Sequence, residues 1–144
     1  MAKSQIETKG AAMGEVIHGA CLCGKLTFDV HAPEVMGGCH CTRCTRWTGS
    51  AGAVVVVVAA GSFKVTQGQE LLKRYREETF ADRYFCSNCG SGIYTDGKDK
   101  YYVGAGVLRD VKLKPAFHIQ VAHKAPWDEI GGSAPQFPEY PPHG

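Results

Sequence analysis

The sequence predicts a mainly β domain with very little helix, and three observations predict it. Leu26, Phe28 and Val30 interleave with Lys25, Thr27, Asp29 and His31, the period-two pattern of a strand with one buried face. Ala53 to Ala60 reads AVVVVVAA, β-branched through its middle and too short for an independent helix. Eighteen glycines and seven prolines supply many turns and interrupt long regular elements.

Taken in order, residues 1–13 carry no periodicity and are expected to be a disordered tail, ahead of a single β domain over 14–144. Strand-like patterning begins at Glu15 and continues through Leu26 to His31. The valine run at 53–60 is expected to be buried on both faces, because exposing it would invite aggregation. Gly61-Ser62 is a turn, and Phe63 to Thr66 resumes alternation. Further short strands are expected at Leu71–Tyr75, Thr79–Phe85, Gly92–Thr95, Tyr101–Gly104 and Phe117–Val121. One short helix is expected from Thr42 to Trp47, ended by Thr48-Gly49-Ser50, carrying Cys44 back beneath Cys41. Beyond Ala125, five prolines forbid a long element. Trp127, Ile130, Phe137 and Tyr140 within that stretch suggest a strap laid over the core.

Sixteen basic residues against fourteen acidic ones leave a formal net charge of +2. That balance argues against a dedicated nucleic-acid or membrane-surface binder. The longest apolar run has eight residues, well short of a membrane span. Met1 to Met13 is polar, contains lysine and has no apolar leader core, so a cytoplasmic location is expected.

Seven cysteines fall as Cys21-x-Cys23, Cys39-x-Cys41-x-x-Cys44 and Cys86-x-x-Cys89. Four plus three is what one closed and one open zinc site need: structural zinc takes four protein ligands, catalytic zinc three. In extended backbone, residues i and i+2 share a face, so each Cys-x-Cys aims two sulfurs at one point. Cys86-Ser-Asn-Cys89-Gly90 reads as a tight turn folding two thiols together, with Gly90 free to take positive φ. A disulfide scaffold would leave an odd thiol, and clustered pairs in a reducing compartment favour metal. Thioredoxin-like chemistry is disfavoured because Cys86 to Cys89 neither follows an obvious strand nor opens a helical βαβ unit.

The motifs Gly19-Ala20-Cys21-Leu22-Cys23-Gly24, Cys39-His40-Cys41-Thr42-Arg43-Cys44 with Gly49, and Phe85-Cys86-Ser87-Asn88-Cys89-Gly90-Ser91 resemble one known family. With His118-Ile119, Lys124-Ala125-Pro126-Trp127 and Pro135-Gln136-Phe137, they resemble the glutathione-dependent formaldehyde-activating enzymes, which include the centromere protein V type of domain. The match covers roughly Gly14 to Pro141. The resemblance implies a Mss4-like fold of short antiparallel sheets packed around two zinc ions. It also implies that Cys21, Cys23, Cys86 and Cys89 form the structural site and Cys39, Cys41 and Cys44 the catalytic one. Spacing alone leaves other groupings open, such as Cys21/Cys23 with Cys39/Cys41. The implied activity is that of a carbon–sulfur lyase run in reverse, joining formaldehyde to glutathione as S-(hydroxymethyl)glutathione.

A zinc ion on three thiolates is a weakened Lewis acid, so thiol binding and transfer is expected over hydrolysis; a second structural zinc is the alternative. His40 lies between two ligands and points to the opposite face of an extended segment, behind the ligands or at the surface. Arg43 and Arg46 flank Cys44 and suit the carboxylates of a glutathione-like ligand, or else form a solvated helix face. Trp47 and Trp127 are read as core or lid packing, and His118 as a satisfied core residue. Gly49, Gly61, Gly90, Gly104 and Gly106 are read as positions chosen for backbone geometry. Two classes of function follow: a zinc-dependent enzyme acting on a small thiol and an aldehyde, or a non-catalytic, zinc-stabilised glutathione carrier or protein-binding module.

Overall fold

The computed structural model describes residues 15–142, so the expected tail at 1–13 lies outside the described residues. Ten short strands, one α-helix and four 3-10 turns make up the regular structure among them, a mainly β fold. Strands β1 (Val16–Ala20), β2 (Thr27–His31) and β5 (Phe63–Gln67) make a three-stranded antiparallel sheet in the order β1-β2-β5. The larger sheet runs β10-β3-β4-β9-β8-β7-β6. Its members are β3 (Val35–Cys39), β4 (Ala53–Ala59), β6 (Leu72–Tyr75), β7 (Arg83–Cys86), β8 (Gly92–Asp96), β9 (Lys100–Gly104) and β10 (Pro115–Ile119). Every pairing in it is antiparallel except β10 on β3.

The buried face of β2 supplies Phe28 and Val30, both fully buried with Leu26 just before them. They meet Val56 and Val58 of β4, Ile93 of β8 and Val103 of β9 in one cluster. Each such side chain contributes about 1.5–3 kcal/mol by leaving water. A column of rings crosses this core: Phe28 on Phe63 at 5.0 Å, Phe63 on Tyr94 at 4.8 Å, Tyr94 on Tyr101 at 4.2 Å. Burial pushes the Tyr94 phenol well above its ordinary pKa, so it stays neutral.

Several expectations need correction. The valine run is buried on both faces only in its second half: Val56, Val57 and Val58 are buried, whereas Val54 is 44% exposed. The first half faces a cleft. Thr79 to Asp82 is not strand; Thr79 instead turns back to donate its hydroxyl to Glu77 Oε2 at 2.7 Å. Strand β3 escaped the sequence reading because Met36-Gly37-Gly38 neither alternates nor is β-branched. Its glycines let Phe117 and His118 of β10 lie close against the backbone, where any Cβ would collide with them. Residues 121–123 form a 3-10 turn rather than a strand end.

The segment after Ala125 does run along β10, but Trp127 and Tyr140 stay exposed and Phe137 is only half-buried. It is tied through backbone: His118 N to Pro135 O at 2.9 Å and Phe137 N to His118 O at 2.8 Å. Trp127 is 69% exposed, contrary to its reading as core or lid. Among the described residues, no helix is long and apolar enough to cross a membrane.

Candidate functional site

The chain brings its cysteines into two separate groups. Cys21 and Cys23 sit on the turn between β1 and β2, while Cys86 ends β7 and Cys89 sits on the turn that follows. Their four sulfurs lie within 4.8 Å of one another. Local backbone bonds shape each half: Gly24 N donates to Cys21 O with Gly24 at φ 79°, and Gly90 N donates to Cys86 O with Gly90 at φ 84°. Ser91 joins the halves, accepting from Leu22 N at 3.0 Å and bonding the Cys89 sulfur at 3.2 Å. That Ser91 contact holds the Cys89 thiol down to about 5. Asn88 Nδ2 donates to Cys23 Sγ at 3.2 Å and likewise lowers the Cys23 thiol. Burial instead pushes Cys86 up to about 11. Zinc bonds of about 2.3 Å to four sulfurs require S···S edges of about 3.8 Å. The 3.5 Å between Cys21 Sγ and Cys23 Sγ is close to that edge, so the donor set fits a closed tetrahedral ion. The Cys86–Cys89 turn does follow a strand, β7, but it leads into β8 and not into a helix, which keeps it unlike a thioredoxin motif.

The second group assembles at one corner. Cys39 ends β3, and helix α1 (Thr42–Thr48) follows with Cys41 as its N-cap, the Cys41 sulfur accepting from Cys44 N at 3.3 Å. Gly49 closes the helix at φ 66°. Of the other glycines singled out for geometry, Gly61, Gly104 and Gly106 do not take positive φ. The three sulfurs of Cys39, Cys41 and Cys44 also lie within 4.8 Å of one another. A hydrogen bond from Cys44 holds Cys39 down to about 6, while that same contact, with burial, drives Cys44 well above the ordinary thiol range. Cys39 thus favours the thiolate form, which suits it to bind a soft or borderline cation. None of the seven cysteines is bridged to another.

All three cysteines of this group line a cleft of about 780 Å³, and none of the other four does. Val54, Val57, Ile93, Val107 and Phe117 give it apolar walls, and Arg43, Arg83 and Thr95 give it polar ones. Arg46 is exposed and does not line it, so only Arg43 of the expected pair reaches the cleft. Trp47 lies along the wall beneath Arg83, whose guanidinium carbon is 5.4 Å from the ring centre.

Arg83 escaped the sequence reading. A lone arginine in a short strand resembles any surface charge, yet its side chain is only 4% exposed. Its Nη1 donates to Thr95 Oγ1 at 3.3 Å, while Nη2 faces Glu77 Oε1 at 3.6 Å. Arg43 approaches the same Glu77 oxygen at 3.5 Å.

His40, between Cys39 and Cys41, is buried and, unlike those cysteines, does not line the cleft. Its Nδ1 lies 3.2 Å from Asp128 Oδ2 and its Nε2 lies 3.0 Å from His118 Nδ1. A carboxylate can only accept, so Nδ1 of His40 donates to Asp128; if His40 is neutral, Nε2 then accepts from His118. Asp128 is the buried anchor of the C-terminal strap and had no sequence signal of its own.

A sequence model of one family, described as glutathione-dependent formaldehyde-activating enzyme, matches residues 16–123. An uncharacterized lyase of Schizosaccharomyces pombe is 29% identical over 98 residues, covering 65% of this chain and 69% of that protein. A Podospora anserina protein named for glutathione-dependent formaldehyde activation is 24% identical over 120 residues. That alignment covers 81% of this chain but only 50% of the fungal protein, so the chain spans about half its length. A crystal structure of a Rhodobacter sphaeroides protein superposes with a TM-score of 0.57 at 24% identity, covering 83% of this chain and 98% of that one. This likeness speaks for the fold.

Proposed function

Because the chain belongs to the glutathione-dependent formaldehyde-activating enzyme family, we propose that it joins a small thiol of the glutathione class to an aldehyde, as a zinc-dependent carbon–sulfur lyase working in reverse. The observation that carries this reading is the division of cysteines: the trio opens onto the cleft and the quartet does not. The quartet would hold a structural zinc, tying the β1–β2 turn to the end of β7. Cys39, Cys41 and Cys44 would hold a second ion, with one position left for a ligand entering from the cleft. Zinc there would lower the pKa of an incoming thiol and keep its sulfur nucleophilic near neutral pH.

The rest is done by the chain. The Cys41 cap and the Cys44 amide fix the trio on a helix start, while the His40–Asp128 contact braces the segment from behind. The apolar walls lower the polarity around a bound ligand, which strengthens polar contacts inside. The sulfur lone pair attacks the aldehyde carbon, a C–S bond forms, and the carbonyl π pair moves to oxygen. The proton lost from sulfur ends on that oxygen, so the addition is neither oxidation nor reduction and consumes no acid or base.

The test uses protein with Co(II) in place of zinc. Glutathione should change the visible spectrum of the trio's site, and zinc-loaded protein should speed S-(hydroxymethyl)glutathione formation or cleavage. Cys44→Ser should lose both. A spectral change without turnover would favour the carrier reading, and neither response from any small thiol would remove the open-site reading.

A further inference from the structure

We propose that Arg43 and Arg83, both paired with Glu77, form an anion subsite beside the cysteine trio that takes a carboxylate of the incoming thiol. This rests on the thiol reading above for the placement of the sulfur, and it narrows the substrate class to small thiols that carry a carboxylate.

Two guanidinium groups face one carboxylate, which leaves an excess of one positive charge on a wall of the cleft. The arrangement is incompletely bonded. Arg83 Nη2 and Glu77 Oε1 are both buried and neither has a hydrogen-bond partner. Their separation of 3.6 Å, like the 3.5 Å from Arg43 Nε, is an ion pair too long for a hydrogen bond. A buried donor left unmade is costly, and an arginine fork recovers most when a carboxylate meets it squarely.

The pair is also held ready. Arg83 is oriented by Thr95 and by its stack on Trp47, so little rotamer freedom remains to be lost. Both arginines and all three trio cysteines line the same cleft, so a ligand can touch both at once. Glu77 lies between β6 and β7, on neither strand, so swinging aside breaks its bond from the Thr79 hydroxyl but no strand pairing. A ligand carboxylate would then take the place of the Glu77 oxygen and move close enough to hydrogen-bond Arg83 Nη2.

Equilibrium dialysis with S-methylglutathione tests this without the thiol. That probe keeps both carboxylates of glutathione and has its sulfur blocked; its diethyl ester removes the two negative charges and keeps the ammonium group. The acid should bind at least tenfold more tightly than the ester. Arg83→Gln and Arg43→Gln should each weaken the acid about tenfold and erase its advantage. Glu77→Gln should tighten binding severalfold, because it removes the internal competitor, an effect that a purely structural role for Glu77 would not produce. Arg74→Gln, outside the cleft, is the control. If Arg83→Gln fails to fold, the exposed Arg43 and the Glu77 variants still decide the matter. Equal binding of acid and ester, no binding at millimolar probe, or unchanged or weaker binding in Glu77→Gln overturns the proposal. Loss of the glutathione response at the Co(II) site with the acid preference intact would instead overturn the thiol reading and leave the anion subsite standing.

Discussion

His40 Nε2 and His118 Nδ1 lie 3.0 Å apart, a side-chain bond that crosses the one parallel pairing of the large sheet, β10 on β3. His40 interrupts the trio, between Cys39 and Cys41, so this contact braces the cysteine segment against β10. Asp128 completes the chain from the C-terminal strap. A ligand segment braced from behind keeps its sulfurs aimed.

Asp128→Ala should therefore destabilise the fold by about 1–3 kcal/mol, the usual cost of leaving a buried polar partner unmade. It should also weaken metal retention by the trio. Asp128→Asn keeps an acceptor oxygen and should recover most of the stability. Thermal unfolding and chelator competition on the three proteins check this, and an Ala variant with unchanged melting and retention would contradict it.

Burial, followed by the neighbouring His40, holds His118 below its ordinary value of 6.5. Below about pH 6.5 the unfolded chain takes up a proton at this position that the folded chain refuses. Stability tied to neutral His118 is thus fully present above that pH and is lost as pH falls toward the depressed value. Denaturant titrations should show a stability slope across this window that flattens in His118→Gln. Equal slopes for both proteins would rule the linkage out.

A Cβ at Gly92 would sit 2.8 Å from Trp47 Cζ2. The indole cannot yield freely, because it lies beneath the buried Arg83. Gly92→Ala should cost about 1–3 kcal/mol through overpacking and should shift Trp47 fluorescence. Unchanged melting and emission would show that the indole has room to move.

If the quartet holds the structural zinc proposed for it, Cys89→Ser should remove several kcal/mol and most soluble expression, because such an ion contributes its binding energy directly to folding. Cys44→Ser should leave most of the fold intact. The trio spans only Cys39 to Cys44, and cross-linking a short loop removes little unfolded-chain entropy, whereas the quartet joins segments more than sixty residues apart. Mild chelation should accordingly strip the trio first, and a small thiol should slow that loss. Both ions leaving together with unfolding would make the second site structural.

What the sequence determined by itself is local. The alternation of Leu26, Phe28 and Val30 marks a strand wherever that strand pairs, and six residues let Cys39, Cys41 and Cys44 close on one another without a partner, although spacing alone left other groupings open. The turn at Gly90 and the helix stop at Gly49 are equally local, since each depends on one residue's freedom at positive φ. Family resemblance, not spacing, singled out the partner of Cys21 and Cys23. Tertiary structure decided the rest. It placed Arg83 and Glu77 against Arg43, and Asp128 against His40 across 88 residues of chain. It hid β3 beneath glycines whose use appears only once Phe117 and His118 lie on them, and it left Trp127 in solvent despite its size. The physical reason is common to all of these. Periodicity reports which face a residue presents, but a charge or ring acquires its partner from strand order and register, which are set by the whole sheet at once.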